Sequence, residues 1–111
     1  MKKLLFLLLI PCLGFSQDFS DGLVVVHFNA SFNSSNEVAW VSSLTDCEVE
    51  KVDIAADPRW SSEYKIVVVP TIVVFNNNEE VKRFQANIMM TMEATRKEVQ
   101  NSIDEIIMEA F

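Results

Sequence analysis

The sequence predicts an α/β domain, because apolar runs rich in β-branched residues alternate with short stretches patterned for helix. Residues 23–28, Leu-Val-Val-Val-His-Phe, form a nearly continuous apolar run. That is the pattern of a strand covered on both faces, so it belongs at the centre of a sheet. Residues 48–54 alternate charged with apolar side chains until their end, which reads as a strand with one wetter face.

The remaining elements follow in chain order. Ser34-Ser-Asn-Glu37 has the form of a capping box, with Ser34 accepting a backbone N–H and Glu37 reaching back. A short helix over residues 35–43 should follow, carrying Val38, Ala39, Val41 and Leu44 inward. Asp57 is a good N-cap and Pro58 suits the first helical position, so a second short helix runs to about Tyr64. Residues 71–75 are the next strand, and Asn76-Asn77-Asn78 is a turn that tolerates left-handed backbone angles. Residues 81–86 return as its antiparallel partner, with either Val81 or Arg83 sharing the inner face with Phe84; the imperfect alternation leaves both registers open. From about Thr91 the chain turns helical, with Met92, Val99, Ile103, Ile106, Ile107 and Ala110 on one stripe and Glu93 placed to pair with Lys97.

Residues 1–16 have the layout of a secretory signal peptide: a basic start at Lys2 and Lys3, an apolar run over residues 4–10, and Gly14-Phe-Ser16 before Gln17. The run is shorter than the roughly 20 residues a membrane span needs, which sets an uncleaved anchor behind cleavage. Lipidation at Cys12 is a further alternative that Pro11 fits poorly. The expected mature chain, residues 17–111, suits one small domain with a single core. It carries seven basic and sixteen acidic residues, a net −9. Such a charge repels phosphate backbones and anionic lipid heads, so nucleic-acid binding is not expected. The signal-peptide layout makes the expected location secreted or periplasmic, with no stable membrane insertion after cleavage. Cys47 is the one cysteine left, so no internal disulfide can form, although a Cys47-linked dimer could.

Leu23-Val-Val-Val-His-Phe-Asn-Ala30 matches the strand of a known pattern, and four further anchors, Val52-Asp-Ile-Ala-Ala-Asp-Pro58, Tyr64-Lys-Ile66, Val69-Pro70-Thr71 and Phe75, follow it with no insertion between them. Over about residues 23–86 the chain resembles a thioredoxin domain in which the two redox cysteines are replaced by Asn33 and Asn36. The resemblance implies a reduced thioredoxin-like α/β fold, a central mixed sheet flanked by helices, because too little chain separates the expected cleavage site from Leu23 to supply the usual first strand and helix. The interval from Asn33 to Asp53 is also several residues short, so the first helix should be cut back by about two turns.

In the family, a helix N-terminus lowers the first thiol's pKa and makes it a thiolate. Asn33-Ser34-Ser35-Asn36 occupies that place; the amides could accept the same N–H bonds but cannot attack a disulfide. They read as a capped turn or as a contact for a partner's backbone. His27 stands where active members keep a buried acid, and is expected to be a buried neutral imidazole; a pH switch or metal ligand is the sharper alternative. With no second histidine and no thiol beside it, zinc lacks a ligand set, and no cofactor is implied. The resemblance implies a cis bond at Val69-Pro70, and a site for an extended peptide formed by Phe32, Val69, Pro70 and Thr71. Cys47 matches neither redox position. It is a buried structural thiol or an exposed reactive one, and the latter would support a monothiol oxidoreductase or isomerase. A third reading is a structural accessory subunit that uses Trp40, Trp60 or Phe32 as an exposed contact. The expected function is therefore a redox-inactive domain that binds an extended polypeptide.

Overall fold

The computed structural model describes residues 18–110. The signal peptide expected over residues 1–16, its cleavage before Gln17 and the lipidation alternative at Cys12 lie outside the described residues. Four strands, β1 (Leu23–Asn29), β2 (Glu48–Asp53), β3 (Thr71–Asn76) and β4 (Glu79–Gln85), form one sheet in the order β2-β1-β3-β4. β1 pairs parallel with β2 and antiparallel with β3, and β3 pairs antiparallel with β4, so the sheet is mixed.

The apolar run of β1 is central because both of its faces are covered. Val24, Val26 and Phe28 point to one side, where Val73 and Phe75 of β3 join Phe19, Ile66, Trp60 and Tyr64. Val25 points to the other, with Ile72, Val74, Val38, Val41, Val99 and Ile103. The period-2 geometry of a strand sorts the side chains this way. The first layer is completed by α1 (Arg59–Tyr64), the second by two 3-10 turns, Ser31–Asn36 and Ala39–Ser43, and by α2 (Arg96–Glu109).

Several local expectations are corrected. The helix expected over residues 35–43 is two 3-10 turns, and neither has a side-chain cap. The Ser34-Glu37 capping box does not form, because the Glu37 carboxylate accepts from Lys51 Nζ at 2.7 Å instead. Val38, Val41 and Leu44 are buried as expected, but Ala39 is exposed. Pro58 is the N-cap of α1, one residue later than expected, while Asp57 still accepts from the Arg59 N–H at 3.0 Å.

Two further corrections concern the C-terminal half. The last helix begins at Arg96 rather than near Thr91, behind a true capping box of Thr95 and Glu98. Glu93 precedes that helix and accepts from Asn87 Nδ2, so the Glu93–Lys97 pair is not made. Ala110 is exposed rather than part of the buried stripe.

The open register of the last strand has a physical resolution. Ile72 faces Phe84 and Val74 faces Lys82, but Phe75 faces Glu80, so Val81 is the extra residue of a β-bulge. Val81 is half exposed, and Phe84 packs on the α2 side. Arg83 turns to the other face and donates to the carbonyls of Tyr64 (2.7 Å) and Lys65 (2.9 Å). Those carbonyls lie at the end of α1, where a cation is favourable. The β3–β4 turn is Asn77-Asn78, both left-handed at φ 54° and 66°, the pairing that a two-residue hairpin needs.

Candidate functional site

The end of the sheet where β1 stops and β3 begins collects the candidate residues. Ala30 ends the strand in extended conformation, and the Ser31–Asn36 turn begins immediately. The Val69–Pro70 peptide bond there is cis. A third segment, residues 86–92, comes from beyond β4; the Ala86 N–H donates to the Pro70 carbonyl at 3.0 Å.

Asn33 ties these three segments together. Its side chain is 3 % exposed, and its Nδ2 donates toward Asn29 Oδ1 at 3.2 Å, the Met90 carbonyl at 3.2 Å and the Val69 carbonyl at 3.4 Å. Asn36 Nδ2 donates to Asn33 Oδ1 at 2.8 Å. The amide at the first of the two family thiol positions therefore makes its bonds inside the protein. It neither caps the following turn nor faces outward, which corrects both readings of Asn33. Ser34 and Ser35 are exposed and Asn36 is half buried.

The four peptide-site residues separate by position. Phe32 is 74 % exposed. Val69 is buried but lines a cleft of about 240 Å³, whose other walls include Phe32, Ile54, Val67, Ile88 and Met90. Pro70 and Thr71 are fully buried, and the Thr71 hydroxyl donates to the Val68 carbonyl at 2.7 Å; neither lines the cleft or offers a surface. The N–H groups of Val67 and Val69 have no hydrogen-bond partner among the described residues.

Sequence reasoning missed the segment across the cleft. Asn87 Oδ1 accepts from the N–H of Met89 (2.9 Å), the N–H of Thr91 (3.2 Å) and the Thr91 hydroxyl (3.0 Å). Met90 takes a left-handed φ of 62°, rare for a side chain of its size. This fixed turn pushes Ile88 (95 % exposed) and Met89 (72 %) into solvent. The signal available in the sequence was an asparagine followed by three consecutive large apolar residues, Ile88-Met89-Met90, a run that no buried element claims.

His27 lies under the 3-10 turns on the α2 side of the sheet and is 2 % exposed. Its Nε2 accepts from the Val38 N–H at 3.1 Å, so the ring proton is on Nδ1 and the imidazole is neutral. Burial pushes its pKa down, and nearby Lys51 adds to that, while Glu37 opposes it. Lys51 in turn holds the Glu37 carboxyl below its ordinary range through their hydrogen bond. No group of three potential metal ligands occurs among the described residues.

Cys47 is half buried at the opposite end of the sheet, beside Leu23, Ile106 and Ile107. Burial raises its thiol pKa, and the neighbouring Asp46 raises it further. Trp60 stacks on Phe19 and Tyr64, and Trp40 packs against the α2-side core, so of the three aromatic contacts considered only Phe32 is openly exposed.

Comparison with known proteins agrees with this architecture. No family model matches the chain. Thioredoxin from Chlamydia trachomatis is 28 % identical over 76 residues, which cover 63 % of this chain and 74 % of that protein. Among solved structures, a mutant thioredoxin from Halobacterium salinarum superposes with a TM-score of 0.61 at 22 % identity, covering 77 % of this chain and 74 % of its own. Thioredoxin 1 from Thermosipho africanus gives 0.62 at 19 % identity, with coverages of 78 % and 97 %. Thioredoxin-2 of the malaria parasite gives 0.63 at 13 % identity, with coverages of 81 % and 88 %. With its mixed four-stranded sheet and these superpositions, the chain has a thioredoxin-like fold, and over 76 residues its sequence is similar to that of a thioredoxin.

Proposed function

We propose that the protein is a secreted or periplasmic, redox-inactive thioredoxin-like domain that binds an extended polypeptide at the cleft between Phe32, Val69 and Ile88. One observation carries this reading. Of the seven large apolar side chains exposed among the described residues, four line this cleft: Phe32, Val67, Ile88 and Met90. Scattered exposed apolar residues need no explanation, but a contiguous patch marks an interaction surface. The patch is held in place by the Asn33 and Asn87 bonds, which lowers the ordering cost of binding. The N–H groups of Val67 and Val69, without a hydrogen-bond partner among the described residues, are donors of the kind that strand addition uses.

Exchange chemistry has no support at the cleft, since an amide cannot form the mixed disulfide that thiol–disulfide exchange requires. Catalysis by Cys47 is disfavoured by the rise in its pKa, which depletes the thiolate. The test is binding of a fluorescent apolar peptide to wild type, Phe32→Ala and Ile88→Ser. Both side chains are exposed, so melting should change little while affinity falls about tenfold or more, the loss expected when an aromatic or aliphatic anchor is removed. Equal binding by all three proteins would move the interaction surface elsewhere.

A further inference from the structure

Resting on that reading, we infer that the cleft's partner is an extended apolar segment with basic residues at its flanks, supplied by a different protein and not by a second copy of this chain. Two carboxylates that do not themselves line the cleft are tethered to residues beside it, Asp53 at the edge of an adjoining pocket that Lys51 also lines. Asp53 precedes the cleft residue Ile54, and its Oδ1 accepts from the N–H of Ser31, next to Phe32, at 3.2 Å, and from the Ala55 N–H at 2.9 Å. Across the cleft, Glu93 Oε2 accepts from the side chain of Asn87, next to Ile88, at 2.9 Å. Both acids are exposed, and neither belongs to an ion pair among the described residues.

The cations near this end are fewer and mostly engaged. Lys51 is held by Glu37 at 2.7 Å, and Lys65 is the one basic residue adjacent in sequence to a cleft residue. The carboxylate oxygens are fixed by main-chain and amide donors yet keep lone pairs for an arriving guanidinium or ammonium. A second copy would bring the same acidic rim and the same excess of acidic over basic residues, sixteen to seven over residues 17–111. Like charges meeting across an interface oppose association. The apolar wall, including Met90, adapts to varied aliphatic and aromatic side chains, so the flanking charges are what select the partner.

Two labelled octapeptides test this: Arg-Ser-Leu-Val-Phe-Val-Ser-Arg, and the same peptide with serine in place of both arginines. At low salt the arginine peptide should bind about tenfold tighter, the gain of two exposed ion pairs. Near 1 M salt, where the Debye length is about 3 Å, the two should converge. The double variant Asp53→Asn, Glu93→Gln keeps every hydrogen-bond acceptor named above; it should abolish the low-salt preference while leaving the serine peptide's affinity unchanged. Equal binding of both peptides at low salt, with Phe32→Ala still weakening both, would overturn the charge selection and leave the cleft intact as a site. Binding insensitive to Phe32→Ala, or no binding at all, would overturn the cleft and this inference together. Sedimentation showing a dimer that Phe32→Ala dissolves would identify the occupant as a second copy and refute the proposal.

Discussion

Replacing Asn33 with alanine should destabilise the domain far more than its position in a short surface turn would suggest. The amide nitrogen has two hydrogens and three acceptors within 3.2–3.4 Å, so two full donated bonds are the most it can make, and its oxygen accepts one more at 2.8 Å. At about 1 kcal/mol for each net hydrogen bond, Asn33→Ala should cost about 3 kcal/mol, because the acceptors it leaves behind are screened from water. For a domain near 100 residues that is a fall of about 12–24 °C in Tm. Asn36→Ala is the control. Asn36 is half buried and gives one bond to Asn33, so its loss should cost about 1 kcal/mol or less. Urea unfolding followed by tryptophan fluorescence measures both, and an Asn29–Asn33 double-mutant cycle isolates their shared bonds. If Asn33→Ala is no worse than Asn36→Ala, or if the cycle shows no coupling, the amide does not hold the three segments together.

Three other outcomes follow. His27 should make stability pH-dependent: its folded pKa lies below the unfolded 6.5, so the neutral ring contributes fully above that value and the contribution is lost as pH falls through the lowered folded pKa. Denaturation between pH 4 and pH 8 should show that loss in wild type and a flatter profile in His27→Gln, and identical profiles would remove His27 as the cause. Cys47 should react with maleimide at least about tenfold more slowly in the native protein than in urea, given its raised pKa and half-buried position; native labelling at the unfolded rate would revive the monothiol reading. Intact mass of the exported protein should correspond to a chain starting at Gln17, whereas retention of residues 1–16 or a lipid on Cys12 would show an anchored form.

The fold was legible where one physical constraint dominated. β1 and β3 are buried on both faces, and burial leaves a mark in composition that no surface effect can blur. The hairpin turn was legible for a similar reason: left-handed angles admit few residue types, and Asn77-Asn78 supplies two of them. The failures lie where two local signals competed. Glu37 could serve the capping box or Lys51, and the ion pair across to β2 won over a cap that the short 3-10 turn could not shape. Val81 and Arg83 both looked plausible as inward residues because a bulge shifts the period by one within the strand, and alternation rules cannot locate a bulge. The Thr95-Glu98 box was present in the sequence, but the apolar residue Met92 drew the helix start forward.

At the site, residue types were legible and their orientation was not. An asparagine at a position where the family needs an accessible thiol could face a partner or the protein, and no local propensity distinguishes the two. Packing decides it, because Asn29 at the end of β1 and the two carbonyls of Val69 and Met90 arrive from segments 4, 36 and 57 residues away from Asn33. That long-range arrangement also explains how a thioredoxin-like end can be kept without its thiols. In a redox protein the loops around the nucleophile must admit a partner's disulfide. Here the Asn33 amide bonds the 86–92 segment and the cis-proline loop together through the Met90 and Val69 carbonyls, beside the exposed Phe32 and Ile88. On the proposed reading, a contact surface held rigid costs less to order on binding, and the buried Asn33 amide, bonded to three segments, supplies that rigidity.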